Sequence, residues 1–268
     1  PNHPYGRPII GWKHEIMELS YDDVKSFYKT HYEPRNAILV ISGNVNLKKA
    51  KEIVKKNFSK IKNVSKSKFK ETLDPDLNSQ VFVEKKHPTV KQDIWKKLYR
   101  ADSYNKSIKH GIALDLGMKI IAGGTSSLLY DEFVNKKKIF SMVGGFYQGL
   151  TRGEGYVYFY AIPNEKIEPK KIDNLIMDQI KIFVENELSS EKLETEKKKY
   201  LYDSIYRMDG ILKPSEIYGE ALTVGLKLSD IENWNKNLDD VTLELVKEGN
   251  LKIKQENLFD DIYIRENK

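Results

Sequence analysis

The side chains able to do metal or nucleophilic chemistry in this 268-residue chain are few. There are five histidines, His3, His14, His31, His87 and His110, and no cysteine. Thiolate metal sites and disulfides are therefore excluded. "HEIME", His14 to Glu18, falls one imidazole short of His-Glu-x-x-His. That motif places two imidazoles one helical turn apart on one face to hold zinc. The second position here is Glu18, and the segment stands before a helix cap at Ser20, so no metal is expected on it. The inverted order His-x-x-Glu-His does not occur, nor does a Gly-x-Ser-x-Gly elbow or a Gly-x-x-x-x-Gly-Lys-Ser/Thr phosphate loop. "GLTRGEG" has three glycines but no helix pattern after it, so it reads as a hairpin loop rather than a phosphate cradle. His3, beside Pro4 and Gly6, reads as a turn residue. On residue types alone, the catalytic residues are none and the metal ligands are none.

The elements around these residues are better marked. Ser20 is an N-cap, with Asp22 and Asp23 suited to the helix dipole. Val24, Phe27, Tyr28 and His31 recur at helical spacing, and Pro34 stops the run. "NAILVISGNV" reads as a buried strand, and "NLKKAKEIVKKNFSKI" as a second helix. Residues 60–80 lack periodicity and are rich in Lys, Ser, Asp and Asn, as a linker is. "SQVFVEKK" and "KQDIWKKLYRA" are strand-like. "NKSIKHGIALDLGMKIIAGG" is a helix ended by Gly123 and Gly124, and "SSLLYDEFVNKKK" is another. "IFSMVGGFYQ" and "GYVYFYAIP" make an antiparallel pair around the glycine loop. "EPKKIDNLIMDQIKIFVENEL" opens on Pro169, and "SSEKLETEKKKYLYDSIYRM", "KPSEIYGEALTVGL" and "DDVTLELVKEGN" add further helices, with "DDIYIREN" a last strand. Strands with segregated helices predict an α+β layer.

Bulk composition narrows the partners. Apolar residues are 40% and charged residues 31%, and no window approaches a membrane span. The net charge is +6, but almost all of the positive charge is Lys. The six arginines, Arg7, Arg35, Arg100, Arg152, Arg207 and Arg265, are scattered. Bidentate phosphate and base recognition leans on Arg, so nucleic acid is not expected as a partner.

Three strings carry a resemblance: "HPYGRPIIG", then "LSYDDVKSFYKTHYEPRNAILVISGNV", then a helix ending "KKNFSKI". Together they resemble the insulinase/pitrilysin family of inverzincin zinc metallopeptidases, including its mitochondrial processing peptidase branch. "VKQDIWKKLYRA", "IIAGGTSSLLYDEFVNKKKIFSMV" and "YVYFYAIP" resemble the family's next domain, so the likeness covers nearly the whole chain. It implies an α+β, LuxS/processing-peptidase-like metallohydrolase fold, with antiparallel-rich sheets and helices on one face. It further implies the later part of a first domain at residues 1–62, a linker at 63–80 and a complete second domain at 81–268.

The family's zinc site needs His-x-x-Glu-His and a distant Glu, none of which matches here. The resemblance therefore implies that the chemistry lies upstream of Pro1, that the chain is a piece of a longer protein, and that zinc belongs to the intact family member rather than to this chain. The family's substrate-gripping Arg and Tyr would fall at Val134 and Ser141, with a nearby Arg at Leu128. None of these three can donate as Arg does. Two readings stay open. The chain is part of a zinc-bearing subunit that borrows the pair from a partner, or it is a non-catalytic, degenerate binding subunit. In the first, peptide is the expected ligand, held by wall strands that include Ser141, Val143, Tyr156 and Tyr158; in the second, the chain holds a catalytic partner or a peptide. A second family subunit or a second copy is the expected partner. The resemblance suggests a bacterial or organelle setting, with bacterial periplasm and cytoplasm both open.

This reading predicts that the isolated chain holds no stoichiometric zinc and cleaves no peptide. Metal analysis after dialysis checks it, and one tightly held zinc per chain overturns it.

Overall fold

A helix start needs partners for its first free backbone N–H groups. The first long helix of this protein finds them in its own sequence. In the structure, a computed structural model that describes residues 7–63, 81–255 and 259–266, Asp23 N–H donates to Ser20 Oγ at 3.2 Å and Ser20 N–H donates to Asp23 Oδ2 at 2.9 Å. This reciprocal box opens helix α2, Tyr21–His31, which follows the short α1, Lys13–Glu18. Helix α3, Leu47–Phe58, is capped by Asn46, whose Oδ1 accepts from Lys49 N–H at 2.9 Å. The chain divides into two units, Pro1–Pro75 with Arg207–Thr223, and Asp76–Tyr206 with Val224–Lys268. Residues 64–80, most of the expected linker, lie outside the described residues.

The first unit corrects one expectation. "NAILVISGNV" is not a buried strand. Residues 37–42 belong to no strand, and Ile38 and Leu39 are 49% and 54% exposed. An apolar run becomes a strand only when a neighbour takes its N–H and C=O groups. No described strand lies in this unit. The run is tied instead by Ser42 Oγ, which donates to Ile211 O at 2.6 Å. The apolar face of α2, with Val24, Phe27 and Tyr28, is likewise exposed.

The second unit is built on a five-stranded sheet. Its strands are β1 (Val81–His87), β2 (Ile94–Ala101), β3 (Phe140–Gln148), β4 (Gly155–Pro163) and β5 (Phe259–Glu266), in the order β1-β5-β2-β4-β3. β1 and β5 run parallel, and the other three pairings are antiparallel. The insertion of the last strand between the first two is not visible in the sequence pattern. The helices are α4 (Ile108–Ala122), α5 (Leu128–Tyr130), α6 (Pro169–Ile182), α7 (Ser190–Arg207), α8 (Lys213–Thr223, in the first unit), α9 (Leu228–Glu232), α10 (Trp234–Asp239) and α11 (Leu243–Gln255). The short α9 and α10 were not expected from the pattern. The helix expected in "SSLLYDEFVNKKK" is α-helical only over α5. It widens to a π-helix over Asp131–Lys136, which carries the buried Phe133 against Phe140 with ring centroids 5.2 Å apart. A second π turn, Phe183–Glu187, extends α6.

One face of the sheet is sealed. Trp95, Lys97 and Tyr99 on β2 are each 1% exposed, and Val157, Phe159 and Ala161 on β4 are equally buried. Lys97 is a cation in this core. Its ammonium donates to the carboxylate of Asp173 on α6, which offsets the cost of burying the charge. Helix α4 is apolar on nearly every side because it lies between the sheet and α11. Where α4 meets α11, Gly117 faces the buried Asn250. The Asn250 Nδ2 donates to Val246 O at 2.8 Å, while its Oδ1 meets no donor among the described residues.

A Cβ on Gly117 would stand 1.9 Å from Asn250 Nδ2. Gly117→Ala is therefore expected to lower stability by about 1–3 kcal/mol through overpacking. Adding Asn250→Ala removes both the clash and the orphaned oxygen, so the double variant recovers much of that loss in denaturant melts.

Candidate functional site

Side chains alternate across a strand, so sealing one face of the sheet places a defined set on the other. On β2 that set is Lys96, Leu98 and Arg100, and on β4 it is Tyr156, Tyr158, Tyr160 and Ile162. Cross-strand register arranges them with β3 in rows. Tyr156 faces Arg100 and Gln148, Tyr158 faces Leu98 and Phe146, Tyr160 faces Lys96 and Gly144, and Ile162 faces Met142. This face is open. Phe146 and Met142 are 45% and 46% exposed, and the tyrosines are half-buried among one another.

The rings form a connected stripe. Phe146 lies 5.2 Å from Tyr158 and 6.1 Å from Tyr156, and Tyr158 lies 6.1 Å from Tyr160, centroid to centroid. Tyr160 leans over β3. A Cβ on Gly144 would come within 2.7 Å of the Tyr160 hydroxyl, so a side chain there would displace the end of that ring. Burial pushes the Tyr158 phenol above its ordinary pKa, with Tyr160 and Tyr156 adding to the rise. Arg100 is paired with Glu154 at 3.2 Å. Lys96 makes no hydrogen bond or ion pair among the described residues.

Of the four residues expected to face a peptide, Tyr156 and Tyr158 sit together on this open face. Val143 is buried on the helical side at 2% exposure. Ser141 is exposed at the register shift between Phe140 and Met142, where its Oγ donates to Ile162 O at 3.2 Å. That shift changes which parity of β3 faces out, so the open-face residues of β3 are Met142 and Phe146. Sequence reasoning missed these two, and also Leu98, Lys96 and Tyr160. The alternation in "DIWKKLYRA" and "GYVYFYAIP" held the signal for the last three, once the pairing of β2 with β4 is known. Leu128 and Val134 lie partly buried on and beside α5.

Each described histidine has its own local surroundings. His14 and Glu18 lie one turn apart on α1, which is exposed throughout. His31 packs on Phe27 at 4.4 Å. The His87 Nδ1 lies 2.9 Å from Thr89 Oγ1, and the His110 Nδ1 lies 2.8 Å from Ser107 Oγ. His3 lies outside the described residues. Among the described residues no three His, Cys, Asp or Glu side chains converge as a metal would require. These residues do not fit a zinc ion, and no zinc step is assigned to them. No helix among the described residues is long and apolar enough to cross a membrane.

Comparison with known proteins gives the chain relatives. Residues 18–200, a span that touches both units, match the family described as the peptidase M16 inactive domain. Over 226 residues the chain is 25% identical to the zinc protease PqqE of Helicobacter pylori (strain ATCC 700392 / 26695), covering 82% of this chain and 49% of that protein. Among solved structures it is similar to a protease from Helicobacter pylori, with a TM-score of 0.88 and 21% identity over 98% of this chain and 63% of that one. It is also similar to a peptidase M16 inactive domain from Pseudomonas fluorescens, with a TM-score of 0.83 and 16% identity over 100% of this chain and 63% of that one. At these identities the structural likenesses show the fold. The chain spans about half the length of the curated relative it matches.

The raised Tyr158 pKa makes a spectroscopic prediction. Its neutral form is favoured, so this phenol ionises above the ordinary value of about 10. Tyr158→Phe is expected to remove one phenolate step from the late part of the alkaline absorbance titration. Loss of an early step instead contradicts the burial assigned to this ring.

Proposed function

The chain belongs to the peptidase M16 inactive-domain family, and on that premise we propose that it is the peptide-holding, non-catalytic part of a zinc protease-like protein. In this reading the zinc and its water-activating base lie on another part of a longer polypeptide or on a partner subunit, as in the processing-peptidase branch that the sequence resembles. This chain encloses the substrate and presents it in extended form. The observation that carries the reading is the one-sided sheet. The helices bury Trp95, Tyr99, Phe159 and Val143, while Phe146, Met142 and the row of tyrosines stay accessible on the other side. Strand β3 is also an edge of the sheet, so an extended peptide can add to its free backbone groups. Aromatic side chains supply contact area at low entropic cost, which suits a wall that accepts many sequences.

The role requires neither metal nor chemistry from this chain. A fluorescently labelled extended peptide rich in Leu and Phe is expected to bind saturably, with chelator present, and to emerge uncleaved. Replacing both Phe146 and Tyr158 by Ala is expected to weaken binding about tenfold, the loss of one modest hot spot. A requirement for metal overturns the reading. So does the absence of binding by any extended peptide. If that absence came with self-association in sedimentation, through apolar residues such as Phe27 and Leu39 of the first unit, it would favour the scaffold role instead.

A further inference from the structure

On the open face one cation, Lys96, stands in the middle of the sheet. Lys96 on β2 stands directly opposite Tyr160 on β4. Directly opposed residues hold their Cβ atoms about 5 Å apart on one face. The ammonium brings three donors and the phenol one. Among the described residues neither group makes a hydrogen bond or ion pair. Of the other cations that the register places on this face, Arg100 is joined to Glu154, and Lys85 lies on β1, beyond β5. The third member of the row, Gly144, has no side chain, and Tyr160 leans across it toward the edge of the sheet. Beyond Lys96 the row continues to Ile262 on β5, so the ammonium rises from β2 and the hydroxyl from β4, inside the sheet rather than at its margin.

On β2, β4 and β3 the neighbouring rows present apolar and aromatic side chains, and on β5 Asp260 stands opposite Leu98. On one side lie Leu98, Tyr158 and Phe146, and on the other Ile162 and Met142. Successive rows are two residues apart along the strands, about 6.6–6.8 Å. An extended peptide presents its alternate side chains at the same interval. We propose that this face selects extended peptides in which a glutamate is flanked two residues away on each side by apolar residues. The glutamate carboxylate accepts from Lys96 Nζ and Tyr160 Oη, and its apolar neighbours lie over the Phe146–Tyr158 and Met142–Ile162 rows. The inference rests on the peptide-holding reading above and deepens it to a substrate preference. A carboxylate is the acceptor that such donors hold most strongly, through charge-assisted hydrogen bonds.

The test uses the full 268-residue chain and three peptides, each acetylated and amidated so that no terminal carboxylate competes. They share apolar residues at the flanking positions and differ only in the centre, which is Glu, Gln or Lys. The Glu peptide is expected to bind about tenfold tighter than the Gln peptide, the value of one charge-assisted hydrogen bond. The Lys peptide is expected to be weakest. Lys96→Gln and Tyr160→Phe, substitutions on the open face that leave the sealed core intact, are expected to abolish most of the Glu preference, so that the Glu and Gln peptides bind alike. Equal binding of Glu and Gln peptides overturns the inference, as does a Glu preference that survives both substitutions. Either result leaves peptide holding itself standing. Failure of all three peptides to bind overturns the peptide-holding reading, and the inference falls with it.

Discussion

The sealing of one face of the sheet, and only one, is the constraint on which the second unit depends. A strand has two faces, and a residue's parity decides which one it joins. Once Trp95 and Tyr99 are committed to the helices, Lys96 and Leu98 must face away. The same holds on β4, where burying Val157, Phe159 and Ala161 turns out Tyr156, Tyr158 and Tyr160. The aromatic stripe is therefore a consequence of core formation and needs no separate device to position it.

The helical layer explains why the core tolerates a lysine. Lys97 has the parity of the sealed face and cannot turn outward without flipping its whole strand. Asp173 on α6 meets it there. The neighbouring Tyr99 donates to Met177 Sδ at 3.1 Å on the same helix, so α6 is held to β2 by polar and apolar contacts together. Close approach of α4 to its neighbours is set by absent side chains. Gly117 admits Asn250, and Gly111 lies against the Tyr104 ring, where a Cβ would come within 2.4 Å.

The first unit behaves differently, for the same physical reason. Its helices are capped and formed, yet α2 and α3 bury no residue of their own. Local hydrogen bonds suffice to start a helix, but an apolar face is covered only by a partner. The run at 37–42 shows the same limit for a strand, since it has strand composition without ladder neighbours.

By itself the sequence determined what local chemistry controls. Ser20 capped a helix where a short polar side chain precedes an apolar period, Pro169 began one, and the glycine loop joined β3 to β4. The residues that carry the family resemblance were legible in the same way. Tertiary structure alone decided what depends on distant pairing. It inserted β5 between β1 and β2, left residues 37–42 without a ladder, and widened the turn after α5 around Phe133. It also moved Val143 to the core while bringing Lys96, Tyr160 and Phe146 into one surface. A side chain's face is set by the parity of its strand relative to whichever partners seal the sheet. A single register shift between Phe140 and Met142 reverses that parity, and no local pattern in the sequence marks it.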